Sequence, residues 1–558
     1  MPEGNALSLL WPAHASRQSV TPLSDAAFAD LELAPIVAAL SRDAAATPGR
    51  HATRERFARD VLSQLLTDRD VIQHRQAVLA DLLERPALCE ALEALVPGLE
   101  ALADMPRGER YRPTMDPGLE RVARRLADLE LLVETVARLS HALDAAEPQA
   151  AGLRSVADGL RELRGSAEFE SLERELPRLR ETLSSVRSVT VGVNLGPDLA
   201  PESATILELG TTPIEGRRGL VWRLLGGNAP DRGLTPLQRG EASPMGRPNE
   251  LVRDLRHLLG SVVGPVATAL DRFARVSTDR LGQLGAELGL LLGAVRMLER
   301  LGKAGLPICR PTCAESAERR AELVDAYEPG LALSQLDAST AMVTNAIVFG
   351  ADAARVWVLT GPNRGGKTTY TRAAGVAQVL FQAGLFVPAR SARMSPVDAI
   401  YTHFPTREDA RPGLGRLDLE AERLAAIFQQ ATPRSLILLN EALSGTSALE
   451  ALDLARGLVR GLRLLGARAI YVTHLHELAS EVEAINADTP GDGRVGSLLA
   501  ELDEDVSAGT YARDGAARRT FKIAARPPRG ASFAAEIAEQ HGISYAQLAR
   551  LLRERNLA

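Results

Sequence analysis

The chain has 558 residues, 45% of them hydrophobic and 24% charged, and carries a net charge of −6. That length exceeds one ordinary core and points to roughly two to four domains. The acidic balance excludes a wholesale basic nucleic-acid binder, so any contact with nucleic acid has to come from a local patch.

Residues 1–23 are polar and contain proline, which predicts an N-terminal arm, without the basic and apolar regions of a signal peptide. From about residue 24 to 310 the pattern is helical. Leu119, Val122, Leu126, Leu129, Val133 and Val136 alternate three- and four-residue steps. Phe169, Leu172, Leu176, Leu179, Leu183 and Val186 do the same, as do Leu281, Leu284, Leu288, Leu291, Val295 and Leu298. Each set lays a narrow apolar seam along one helix, as in the packing of long helices. No apolar run approaches the roughly 20 residues of a membrane helix. Residues 188–246 interrupt the helices: SVTVGVNLG and ATILELG alternate like short strands, and a Gly/Pro/Arg-rich stretch after them reads as loop. A boundary falls at 303–319. It holds Cys309 and Cys313, which lack the second Cys or His pair of a zinc site. With Cys89 they are the only cysteines, a sparse, odd count that fits a reducing cytoplasm.

Beyond residue 320, short apolar strands alternate with helices, which predicts a mostly parallel α/β sheet. The strand-like run Arg355–Thr360 leads into Gly361-Pro362-Asn363-Arg364-Gly365-Gly366-Lys367-Thr368, a full G-x-x-x-x-G-K-T phosphate loop with Thr369 next to it. Its glycines let backbone N–H groups point at phosphates; Lys367 can reach the β- and γ-phosphates, and the Thr368 hydroxyl can ligate Mg²⁺. Lys367 is also one of only three lysines, since 62 of the 65 basic residues are arginine. A second hydrophobic run, Leu436–Leu439, ends in Asn440-Glu441, where a Walker B strand carries its metal-side residue and a carboxylate able to orient water. Ser444–Ser447 comes next, at the distance of a dimer-interface loop, and a third run, Ala469–Thr473, ends in His474, where an imidazole can sense a γ-phosphate.

These blocks resemble the MutS family of DNA mismatch-repair ATPases. LTGPNRGGKTTYTR is similar to its phosphate loop, AGLFVPARSARMSPVDAIYTH to the segment after it, NEALSGTS to its Asp-Glu…Gly-Thr-Ser block, and VTHLHELA to its Thr-His block. Met342 and Asn345 stand where the family carries an adenine-side loop, and Asp68, Ile72 and Arg75 match an Asp-x-x-x-Ile-x-x-Arg pattern of its helical core. The resemblance implies an α/β ABC-type P-loop ATPase domain over 320–558, preceded by a long-helix, lever-like all-α region over 24–310 with a small β-containing, clamp-like insert. It implies ATP and Mg²⁺ as cofactors, with Lys367, Glu441 and His474 catalytic and Thr368 and Asn440 on the metal. It also implies a homodimer with composite sites, DNA as partner, and no membrane.

Three departures stand out. Asn440 replaces the usual Walker B Asp. The signature position reads Gly413-Leu-Gly-Arg-Leu-Asp-Leu-Glu420 without the Ser-Thr-Phe run. None of the 11 Phe residues begins a Phe-x-Glu mismatch wedge, and a shortened form lacking the mismatch-reading domain and the Smr tail is expected. The residues leave open an ATP-dependent switch that acts on a protein or ribonucleoprotein without a DNA role.

Overall fold

A computed structural model of the chain describes residues 7–12, 20–42, 50–104, 119–185, 188–197, 201–212, 279–336, 341–404, 416–443, 448–502, 519–528 and 545–554. It divides into two compact units, one of Met1–Ala94, Ala146–Val156 and Ala286–Ala558, the other of Leu95–Ala145 and Ala157–Gly285. The division does not coincide with the sequence-based boundaries at 23 and 310, because the early helices of the first unit pack on the α/β region.

In that first unit, β1 (Val20–Pro22) pairs antiparallel with β2 (Gln64–Leu66). The helix Arg69–Leu83 comes next, started by Asp68, whose side chain accepts from the Asp70 amide. Its buried face includes Ile72, Val78, Leu79 and, unusually, Arg75, which is 1% exposed. A buried guanidinium needs acceptors. Arg75 Nε donates to the Leu10 carbonyl at 2.9 Å, and a terminal nitrogen donates to the Ala383 carbonyl at 3.2 Å. The group also lies 4.9 Å from the Trp11 ring centre.

Residues 8–11, expected as part of a polar arm, are therefore packed rather than loose. Glu287 fixes them from the other side: its carboxylate accepts the Ser8 hydroxyl at 2.9 Å and the Leu9 amide at 2.6 Å. Burial lowers the Arg75 pKa to about 10, with Glu287 opposing the shift, and burial raises that of Glu287. Glu287 belongs to the helix Asp279–Lys303, which carries the third apolar seam. Among the described residues this is the one helix long and apolar enough to span a membrane, but 78% of that stretch is buried inside the fold.

Among the described residues the second unit is helical apart from one hairpin. The seams of the helices Leu119–Ala146 and Ala167–Ser185 bury Leu126, Leu129, Val136, Phe169, Leu172 and Leu176, as their spacing predicts. The predicted short strands are β3 (Ser188–Leu195) and β4 (Pro201–Gly210), paired antiparallel. The Gly/Pro/Arg-rich stretch read as loop, residues 223–250, lies outside the described residues.

Two sheets complete the first unit. A four-stranded sheet has the order β5 (Thr312–Cys313), β9 (Ser391–Met394), β6 (Ala321–Ala326), β7 (Asn345–Phe349). The main sheet runs β10 (Ile400–His403), β11 (Leu436–Asn440), β12 (Arg468–Val472), β8 (Ala354–Thr360), β13 (Arg494–Leu502), β14 (Arg519–Ala524). All its pairings are parallel except that of β13 with β14. Strands β11 and β12 are buried at every position, which is why they read as continuous apolar runs. The helix Lys367–Gln382 lies against the sheet. At Gly375 an added Cβ would collide with Leu31 and come within 2.8 Å of Leu438, so only hydrogen fits unless those side chains move.

Replacing Arg75 by Met removes the hydrogen bonds that the Leu10 and Ala383 carbonyls accept inside the fold. Leaving a buried acceptor without its donor costs about 1–3 kcal/mol, so the melting temperature of Arg75→Met should fall measurably in a thermal scan. An unchanged melting temperature would show that the node is not structural.

Candidate active site

Because β11, β12 and β8 are parallel and neighbours in that order, their C-terminal ends meet at one edge of the sheet. Open α/β sheets bind ligands outside these ends. Asn440 is level with Val472, and Val472 with Leu359, so Glu441, Thr473 and Thr360 succeed one another across the edge. The Glu441 amide donates to the Val472 carbonyl at 2.9 Å and the Thr473 amide to the Leu359 carbonyl at 3.0 Å, which locks the three exits together.

The phosphate loop leaves β8 here. Positive φ at Arg364 (58°) and Gly366 (89°) curls the backbone into a nest that leads to the first turn of the helix Lys367–Gln382. Such a nest offers N–H groups and a helix dipole to an anion. Lys367 is 4% exposed, and its ammonium donates to the carbonyls of Gly361 and Pro362, each at 2.9 Å. Burial lowers its pKa, with Glu441 opposing the shift. A desolvated cation held only by carbonyls attracts phosphate strongly.

Thr368 and Asn440, predicted on either side of a metal, do meet: the threonine hydroxyl donates to Asn440 Oδ1 at 3.3 Å. These are hard oxygen donors of the kind Mg²⁺ takes, without a protein charge between them. Glu441 and His474 also meet, with Nε2 of the imidazole 2.9 Å from the carboxylate. That hydrogen bond is the main cause that holds the Glu441 pKa below the usual carboxylate value, with burial opposing it.

A cavity of about 440 Å³ opens over the loop, within the range of roughly 300–1,000 Å³ for small-ligand sites. Asn363–Thr369, Met342, Asn345 and Glu441 line it, whereas Gly361 and Pro362 touch Lys367 from outside the lining. Asn345, expected beside a base, has its amide engaged elsewhere: it donates to the Phe521 carbonyl at 3.1 Å and accepts the Ile523 amide at 2.8 Å. This joins β7 to β14 and holds Phe521, at φ 56°, against the cavity. Phe521 is a lining residue that the sequence pattern does not single out, although the TFKI segment around it belongs to the resemblance. The signature glycines Gly413 and Gly415 and the loop Ser444–Ser447 lie outside the described residues. Cys309 and Cys313 are thiols whose pKa burial raises, Cys309 to about 11, and no metal-binding cluster occurs among the described residues.

A parallel sheet whose P-loop, Walker B and histidine strands converge on one nucleotide-sized cavity defines a P-loop nucleotide-binding domain of the ABC type. Residues 357–525 match the family model of MutS domain V, and residues 67–304 match that of the MutS2 N-terminal domain. The chain belongs to the MutS family. It is similar to a DNA mismatch repair protein MutS of Symbiobacterium thermophilum, 36% identical over 30% of this chain and 19% of that protein. A DNA mismatch repair protein MutS 2 of Halobacterium salinarum is 38% identical over 24% of this chain and 16% of its own length. The MutS of Ruminiclostridium cellulolyticum is 28% identical over 50% of this chain and 30% of its own. The chain thus matches less than a third of the length of each of these relatives.

His474→Ala removes the hydrogen bond that depresses the Glu441 pKa. The carboxyl should then titrate at higher pH than in the parent, which moves the acid limb of any Glu441-dependent reaction upward. A pH–rate profile for ATP turnover, or ¹³C NMR of labelled glutamate, reads the shift; an unmoved titration would mean that the pair does not tune this group.

Proposed function

We propose that the protein is a homodimeric, cytoplasmic, MutS-like ATPase that couples ATP binding and hydrolysis to gripping DNA in a repair or recombination role. The observation that carries the ATPase reading is the meeting, at one sheet edge, of buried Lys367, the Thr368–Asn440 contact and the Glu441–His474 pair. The DNA reading is supported by relatives named as DNA mismatch repair proteins.

In this account the nest and Lys367 hold the triphosphate, while Met342 and Phe521 border the base end of the cavity. Thr368 and Asn440 would hold Mg²⁺, which when bound would supply a Lewis acid to offset charge on the phosphoryl group. Glu441 orients the attacking water and takes its proton, and His474 keeps that carboxylate ionised and aimed. Asn440 provides the acceptor geometry of an Asp without its charge, so binding survives better than turnover.

Three measurements test this. Lys367→Ala should lose tight ATP binding and turnover while the fold survives; unchanged affinity and rate would refute the nucleotide site. Asn440→Asp should speed single-turnover hydrolysis, and a slower enzyme at equal Mg²⁺ affinity would refute the assigned role of the missing charge. Binding to homoduplex, mismatched and branched DNA should weaken steeply with salt, as phosphate-dominated contacts require, and without mismatch preference. RNA is the control: selective RNA binding, or salt-independent DNA binding, would refute the DNA reading.

A further inference from the structure

The carboxylate of Glu441 emerges from a turn that its own residues disfavour. Glu441 has φ 51° and Leu443 has φ 67°, so two non-glycine residues, one of them Leu, occupy the left-handed region within three positions. Such conformations cost free energy and persist only where neighbours over-determine them. Three backbone groups of this turn are held. The Glu441 amide is tied to Val472, and the Tyr471 hydroxyl donates to the Ala442 carbonyl at 3.3 Å. The Leu443 amide donates to Glu420 Oε2 at 2.8 Å.

The third tie differs from the others. The first two come from β12 inside the sheet, whereas Glu420, the last residue of the signature position, projects from the helix Arg416–Gln430. Glu420 is 7% exposed and Leu443 4%, so this bond is closed off from water, where no solvent molecule can replace a lost acceptor. Without it the buried Leu443 amide loses its acceptor, which favours a flip of the turn toward negative φ. A flip there re-aims Glu441, whose Oε1 sits 2.9 Å from His474.

We propose that Glu420 is a positioning residue for hydrolysis: it holds the left-handed turn that points Glu441 into the cavity. The proposal rests on the reading of Glu441 as the water-orienting carboxylate. It requires an acceptor of glutamate's reach and does not require its charge, which fixes an unusual order for two conservative variants.

The test uses the full chain and compares Glu420→Asp, Glu420→Gln, Glu441→Gln and the double variant Glu420→Asp/Glu441→Gln. The kcat and KM for ATP, the affinity for a non-hydrolysable ATP analogue and the melting temperature are measured for each. Glu420→Asp, one methylene short, should lose about tenfold in kcat with KM and analogue affinity within about twofold, whereas Glu420→Gln stays within about threefold of the parent. In the Glu441→Gln background the Asp change should cost little further, since the group being positioned has lost its function. Asp active with Gln impaired would show a charge role, and an undiminished kcat in both would show no positioning role; either overturns the proposal. Parent-like turnover in Glu441→Gln with normal analogue binding would instead overturn the underlying reading of Glu441, and this proposal with it.

Discussion

The parallel pairing of β11, β12 and β8 is the constraint on which the site depends. Parallel strands end at the same edge, so three segments spread along the sequence release their chains side by side. Each strand end then carries a different part of the site: the phosphate nest after β8, the Asn440–Glu441 turn at β11 and His474 after β12. The pairing is rigid because the strands are buried on both faces, with Val356, Val358, Ile437, Leu439, Ala469 and Tyr471 in one core. A site built on strand ends inherits that rigidity, and the short Glu441–His474 and Thr368–Asn440 contacts need no moving part to form.

Around this edge the polar groups divide by task. The groups lining the cavity include a desolvated ammonium, the Thr368 hydroxyl backed by the neutral Asn440 amide, and the Glu441 carboxylate. A second ring supports them from outside: Asn345 fixes β14 and with it Phe521, while Tyr471 and Val472 brace the turn after β11. The loss of a charge at Asn440 is thus local, since neither Glu441 nor Lys367 takes its orientation from that side chain.

The parts of this arrangement legible in the sequence are those whose chemistry is contiguous. The phosphate loop announces itself because eight consecutive residues carry the nest, and the strands before it, before Asn440 and before His474 read as apolar runs because both faces are buried. The order of the three blocks sufficed to bring Glu441 and His474 together. The hidden parts depend on tertiary contact. Phe521 reaches the loop from the far edge of the sheet, and nothing local marks it as a cavity residue. Asn345 was legible as a position but not as a clamp on β14, because its partners lie 176 and 178 residues away. Residues 8–11 look like a loose arm until Glu287, 279 residues on from Ser8, is placed beside them.

The contact of Leu31 with Gly375 carries a consequence for how the chain is made. Leu31 is 0% exposed in the finished fold, and its seat is built by Gly375 and Leu438. During synthesis the early apolar residues Leu23, Phe28, Leu31, Leu33 and Ile36 leave the ribosome before the surface that covers Leu31 exists. At about 5–20 residues per second, the interval to Leu438 is roughly 20–80 seconds. The seat of Leu31 is therefore completed far later than its own helix can form, so the early helices reach their final packing only after the sheet has been made.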